Sequence, residues 1–168
     1  LNWERGTYTV SAQVTNTGNV AGREAVMLWC AAPQGKLGKA AKVLTAYGKT
    51  KLLAPGESET ITLCFDERTF ASFDDTGKTG FANAFVLEAG EYQFFLGDVL
   101  AGTITIDETR VIEQCEEVCG IEAPFARMVA REENGTIVAR EEMLPYGNVD
   151  LRQRILDRLP EEITFTGE

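Results

Sequence analysis

From Thr7 to Thr15 every second residue is apolar (Tyr8, Val10, Ala12, Val14), and the residues between are Thr, Thr, Ser, Gln and Thr. A strict period of two over that length marks a β-strand with one face in a core and one in water, because successive side chains leave a strand on opposite sides. A helix would scatter the same residues around its circumference. The alternation breaks at Asn16-Thr17-Gly18-Asn19, residues that cap their own backbone and tolerate positive φ, and an apolar run restarts after Gly22. This pattern reads as a tight connection between two strands.

The second run, Glu24 to Ala31, does not alternate. Val26, Leu28 and Cys30 share one face, and Ala25, Met27 and Trp29 share the other. A strand apolar on both faces is either central in a sandwich or covered outside by another domain. Glu91 to Leu96 repeats the pattern, with Phe95 opposite Tyr92, Phe94 and Leu96. Met27, Trp29 and Phe95 are therefore the candidate domain-interface residues. Trp29, Phe95 and Tyr47 would also serve as a sugar-stacking platform if exposed together, but packing in a core or interface is the plainer reading.

Turn signals divide the rest of the first hundred residues. Residues 32–42 form a loop with Pro33, two glycines and three lysines, and Leu53-Ala-Pro-Gly-Glu-Ser58 is a Pro-Gly turn flanked by a strand pair. Ile61, Leu63 and Phe65 alternate with Thr60, Thr62 and Cys64. Phe70 and Phe73 suggest one helical turn within Asp66 to Asp75. Phe85 to Glu88 and Glu91 to Leu96 read as strands, and Thr103 to Ile106 as the strand that closes the sheet. Roughly seven short strands with turns between them predict an all-β, antiparallel β-sandwich of about 100 residues.

The remainder differs in charge. The chain carries a net charge of −10, and residues 101–168 hold 7 basic against 15 acidic side chains, compared with 9 and 11 before them. The expected division is a sandwich over 1–106 and an acidic extension over 107–168, irregular to about residue 148. Within it Asn134-Gly135 fits a two-residue hairpin turn, a reading preferred over the glycosylation sequon Asn134-Gly135-Thr136. Leu151, Ile155 and Leu159 recur at steps of four between Asp150 and Pro160, which predicts a short terminal amphipathic helix needing a surface to dock on.

The sequence excludes several kinds of chemistry. It has no His, which removes Ser-His-Asp and Cys-His sites and the ordinary zinc hydrolase arrangement. No phosphate-binding glycine loop appears. Carboxylates lie in turns or in pairs such as Glu116-Glu117, Glu132-Glu133, Glu141-Glu142 and Glu161-Glu162, the usual form of a solvated face, and Asp74-Asp75-Thr76-Gly77 reads as a turn rather than a calcium loop. No catalytic, cofactor-binding or metal-binding residue is expected. An acidic chain with no basic stripe repels phosphate backbones, so nucleic acid is not an expected partner. Apolar runs are far shorter than the roughly 20 residues of a membrane span. Cys30 and Cys64 read as buried free thiols, and Cys115 and Cys119 lack the His and nearby Cys that zinc would need. Reduced thiols favour a cytoplasmic setting. Leu1 reads as a boundary within a longer protein, which leaves a leader on that protein open.

The motifs Val14-Thr-Asn-Thr-Gly-Asn-Val-Ala-Gly22, Val26-Met-Leu-Trp29, Leu53-Ala-Pro-Gly-Glu-Ser58 and Ala89-Gly-Glu-Tyr-Gln-Phe-Phe-Leu-Gly97 occur in that order. The ordered set resembles the fibronectin type III-like domain of glycoside hydrolase family 3, the β-glucosidase and β-xylosidase family. Leu44-Thr-Ala-Tyr-Gly-Lys49 is similar to that family's Leu-x-x-Phe-x-Lys strand, with Tyr47 in place of Phe, and Met27 stands where Gln is common. Ala123 to Arg131 and Val149 to Pro160 resemble a connector in members of permuted domain order. The resemblance implies an accessory immunoglobulin-like sandwich whose partners are the other domains of a parent hydrolase. The family's nucleophile and acid/base motifs are absent, so no Asp or Glu here inherits a catalytic role. A stand-alone or adhesion-type module that binds glycans or a protein is the competing expectation.

Overall fold

The computed structural model describes residues 1–4, 6–116 and 123–144, the side chain of Leu144 excepted. The helix expected over 149–159 and Cys119 lie outside the described residues. In chain order the strands are β1 (Asn2–Glu4), β2 (Thr7–Thr15), β3 (Ala25–Ala31), β4 (Val43–Lys49), β5 (Ser58–Phe65), β6 (Ser72–Asp74), β7 (Ala84–Leu87), β8 (Gly90–Leu96), β9 (Val99–Ile106), β10 (Arg110–Gln114), β11 (Phe125–Glu133) and β12 (Thr136–Leu144). One 3-10 turn, Glu67–Thr69, follows β5, with the Asp66 carboxylate accepting the Thr69 N–H at 3.2 Å as its N-cap.

Two antiparallel sheets face each other, one ordered β1-β2-β5 and the other β4-β3-β8-β9. The period-two faces meet between them. Tyr8 and Val10 of β2 and Leu63 and Phe65 of β5 pack on Leu28 and Cys30 of β3, Tyr92 and Phe94 of β8, and Ile106 of β9. Phe70 enters from the turn and sits with its ring centroid 5.2 to 6.1 Å from those of Tyr8, Phe65, Tyr92 and Phe94. Edge-to-face and tilted geometries of this kind add stability beyond burial. The expected helical turn is thus only the short 3-10 piece, and its two phenylalanines part company: Phe70 is core, whereas Phe73 lies on β6 and is exposed.

Asn16 to Asn19 do not make a tight link, because β2 and β3 belong to opposite sheets and residues 16–24 cross between them. Asn16 holds this crossover. Its Nδ2 donates to the carbonyls of Val20 (2.9 Å) and Leu53 (2.8 Å), and its Oδ1 accepts the Gly18 N–H at 3.0 Å. The self-capping is as expected, but no residue from 16 to 19 has a positive φ. The strands flanking Pro55-Gly56 likewise lie in opposite sheets. The turn itself forms, with Gly56 at φ 79° and the Glu57 N–H donating to the Ala54 carbonyl at 2.9 Å. Cys30 is buried as expected. Cys64 is exposed, because it shares the wet face of β5 with Thr60 and Thr62.

The part expected to be irregular is largely strand. A small sheet ordered β10-β7-β6 lies beside the sandwich, and β11 and β12 form a long hairpin. Asn134 (φ 51°) and Gly135 (φ 75°) make its two-residue turn, between the paired residues Glu133 and Thr136. The hairpin meets the β6–β7 connection through polar groups: Arg127 pairs with Asp75 and Glu142 with Lys78, while Arg131 pairs with Glu142 within the hairpin. Gly38 is a point of close approach, since a Cβ there would lie 1.9 Å from the Ala130 carbonyl oxygen.

Candidate functional site

The outer face of β4-β3-β8-β9 is where the sequence placed its interface residues. Strand register sets the geometry. Trp29 is paired with Leu44 on one side and with Phe95 on the other, and Phe95 is paired with Leu100. Leu44, Trp29, Phe95 and Leu100 therefore form one apolar row across all four strands. Met27, two residues from Trp29 on the same face, is paired with Tyr47. Strand alternation sends these two aromatics out opposite the buried Leu28 and Phe94, and the register shifts that skip Thr45 of β4 and Ala101 of β9 bring Leu44 and Leu100 level with them.

None of the three candidates belongs to the core. Trp29 and Phe95 are half-buried, while Met27, Leu44, Leu100 and Tyr47 are exposed by 42%, 44%, 53% and 76%. Leu44 and Leu100 escaped sequence reasoning, because only strand pairing brings them beside Trp29 and Phe95. Lys42 stands over the Phe95 ring, its Nζ 4.2 Å from the centroid, a contact worth about 0.5–1 kcal/mol at such a site.

Lys42 is carried there by a loop with a buried ionic anchor. Lys39 Nζ donates to Glu88 Oε2 at 2.6 Å, with side-chain exposures of 6% and 5%, and to the Pro33 carbonyl at 2.7 Å. Glu88 also accepts the N–H groups of Lys36 (2.6 Å) and Leu37 (3.3 Å). Leu37 then packs with Ala84 and Val86.

The acidic motifs have structural partners. Asp74 is fully buried and accepts the N–H groups of Thr76, Lys78 and Thr79 and the Thr79 hydroxyl. Burial pushes its carboxyl up, but these donors outweigh burial and hold it below the usual value. Glu142 is held low chiefly by the Lys78 ammonium, and Glu133 by the Arg140 guanidinium. No group of three or more His, Cys, Asp or Glu among the described residues has the arrangement of a metal site. No described helix is long and apolar enough to cross a membrane.

Residues 24–99 match the family model of the fibronectin type III-like domain. Over 164 residues, 95% of the chain, the sequence is 44% identical to a β-glucosidase of Ruminococcus albus. Residues 24–99 are a fibronectin type III-like domain, and the chain is similar to that domain of family 3 glycoside hydrolases. It spans only 17% of that relative, and 12% of β-glucosidase A of Butyrivibrio fibrisolvens, to which it is 52% identical over 99 residues, or 59% of its own length. A solved β-glucosidase structure from Paenibacillus barengoltzii superposes with a TM-score of 0.82 at 39% identity, over 96% of this chain and 19% of that one. Matches over 95–96% of the chain necessarily include the β11–β12 hairpin, whereas a match over 99 residues cannot span sandwich and hairpin together. The matches to the first and third of these relatives therefore extend over the hairpin.

Proposed function

We propose that this fibronectin type III-like domain is a non-catalytic brace of a parent β-glucosidase-like hydrolase, and that the Leu44–Trp29–Phe95–Leu100 row with Met27 is the face on which another domain of the parent docks. The row itself carries the reading. Four large apolar side chains, aligned across a sheet and outside its core, form a continuous patch of the kind that marks interaction surfaces. Lys42 and Lys49 lie at its β4 edge, which suits a partner with an acidic rim. A sugar-binding reading of this face is weaker, because the residues paired with the two aromatics on either side are leucines, which offer no hydrogen bonds. The domain boundary stays near residue 106, with the extension serving as a connector, and the parent's domain order is permuted. Hydrolysis of β-glucosides belongs to parent domains that this chain does not contain.

The test compares Phe95→Ser and Leu100→Ser in the 168-residue chain and in the parent enzyme. The brace reading expects little change in the melting of the chain alone, together with faster thermal loss of aryl β-glucosidase activity in the parent. Equal destabilisation of both would mean that the face serves only the sandwich. Turnover of an aryl β-glucoside by the purified chain would refute the non-catalytic assignment.

A further inference from the structure

A second surface lies on the other sheet, away from the Trp29 row. A cleft of about 540 Å³ opens between the β1–β2 edge, the 3-10 turn and β10, lined by Trp3, Tyr8, Asp66, Glu67, Arg68, Arg110 and Ile112 among others. That volume is within the range of small-molecule sites. Trp3 is opposite Tyr8 in register, but at the sheet edge its indole remains 62% exposed.

The opposing wall is polar and held in place. Glu67 Oε1 accepts both the Tyr8 hydroxyl (3.2 Å) and Arg110 Nη2 (2.6 Å), while Arg68 Nε donates to Glu113 Oε2 at 2.5 Å and its guanidinium stacks 3.1 Å from the Phe85 centroid. These contacts fix the groups without exhausting them. A guanidinium has five donors and a carboxylate about four acceptor positions, and among the described residues no partner takes Glu67 Oε2. Side-chain exposures of 44% for Arg68, 48% for Arg110 and 24% for Glu67 leave these lining groups open to solvent.

Charge narrows the ligand class. Among the described residues Asp66 and Glu67 balance Arg68 and Arg110 along the lining, and Glu113 adds a further negative charge beside Arg68. An anion would find each cation already paired. A ligand with an apolar face and a rim of hydroxyls fits better, because its C–H face lies flat on an indole while paired donors and acceptors take adjacent hydroxyls. From this juxtaposition of an exposed indole and a charge-balanced, preorganised polar wall, we infer that the cleft is a binding subsite for a neutral saccharide. The inference does not rest on the docking role of the Trp29 face.

The chain has two tryptophans, so its proton–nitrogen spectrum holds two indole N–H signals, and the one missing from Trp3→Ala belongs to Trp3. Titration with glucose, cellobiose and cellotetraose is expected to move the Trp3 signal saturably and leave that of Trp29 in place. Calorimetry should show affinity for cellotetraose falling at least tenfold in Trp3→Ala and at least fivefold in Glu67→Gln, with the melting temperature of Trp3→Ala unchanged. A Trp3 signal that never saturates, or moves equally with glycerol, overturns the inference. So does tighter binding of glucuronate than glucose, or a response confined to Trp29.

Discussion

Glu88→Ala tests how the buried Lys39–Glu88 pair orders the loop beside the docking face. The substitution removes one carboxylate and three accepted hydrogen bonds, from Lys39 Nζ and from the N–H groups of Lys36 and Leu37. It leaves an ammonium only 6% exposed with the Pro33 carbonyl as its remaining acceptor. Breaking a buried pair from one side costs about 3–5 kcal/mol, because the surviving charge is stranded away from water. For a chain of this size that corresponds to a fall in Tm of about 6–20 °C, at roughly 2–4 °C per kcal/mol. Lys39→Met should cost less, since the Glu88 carboxylate keeps two N–H donors. The double variant should cost less than the sum of the singles, because neither charge is then stranded. Urea unfolding of the four proteins, read by far-UV circular dichroism, gives the cycle. A Glu88→Ala cost below about 1 kcal/mol, or strict additivity in the double variant, would refute the reasoning.

Three further outcomes follow from particular contacts. Burial pushes the Cys30 thiol up to about 12, with Lys39 pulling it slightly back, so at pH 8 it stays protonated and shielded. An aromatic disulfide reagent should label Cys64 in the native chain and reach Cys30 only in denaturant, and native labelling should fall by one thiol per chain in Cys64→Ser while the denaturant-dependent Cys30 phase stays. Asp74 has a folded-state pKa below its unfolded one, so its stabilisation is complete above about pH 4 and is lost as pH falls through the lower folded value. The stability gap between wild type and Asp74→Asn should be flat above pH 5 and shrink below 4; a gap that widens on acidification would contradict this. Gly38→Ala would drive a methyl group into the Ala130 carbonyl, costing about 1–3 kcal/mol of hairpin docking. Amide exchange should quicken in β11 and β12 while the protection of β3 and β8 holds.

The sequence was legible where one side chain pattern answered to one surface. β2 and β5 alternate because each has one wet face, and the same rule already places Cys64 with Thr60 and Thr62. The Asn134-Gly135 turn was legible because its conformation is demanded locally. The link after Thr15 was misread because turn chemistry is local and strand partnership is not: β2 pairs along its length with β5, from Tyr8 opposite Phe65 to Thr15 opposite Ser58, a partner that no residue near Thr15 encodes. The hairpin strands were hidden by charge. Arg127, Arg131 and Glu142 occupy the side facing the sandwich, where an apolar period would normally announce a strand, and their charges are met by Asp75, by Lys78 and by one another.

The interface candidates show the same division between composition and register. Met27, Trp29 and Phe95 could be picked out because apolar residues stood on a face that should be wet. Their arrangement as a row came from pairing alone, which adds Leu44 and Leu100 and takes Met27 toward Tyr47. This matters for what the face can bind. A row of leucines and aromatics offers area and shape but few hydrogen bonds, which suits a protein surface docked once and kept. The Trp3 cleft offers the converse, a single indole beside fixed donors and acceptors, which suits a small ligand that must exchange with water. The two surfaces lie on opposite sheets and share no residue. Substitutions on the row should therefore leave saccharide titrations at Trp3 unchanged, and loss of binding at Trp3 should leave the thermal behaviour of the parent unchanged. Cross-talk in either direction would mean that one of the two faces has been assigned the wrong partner.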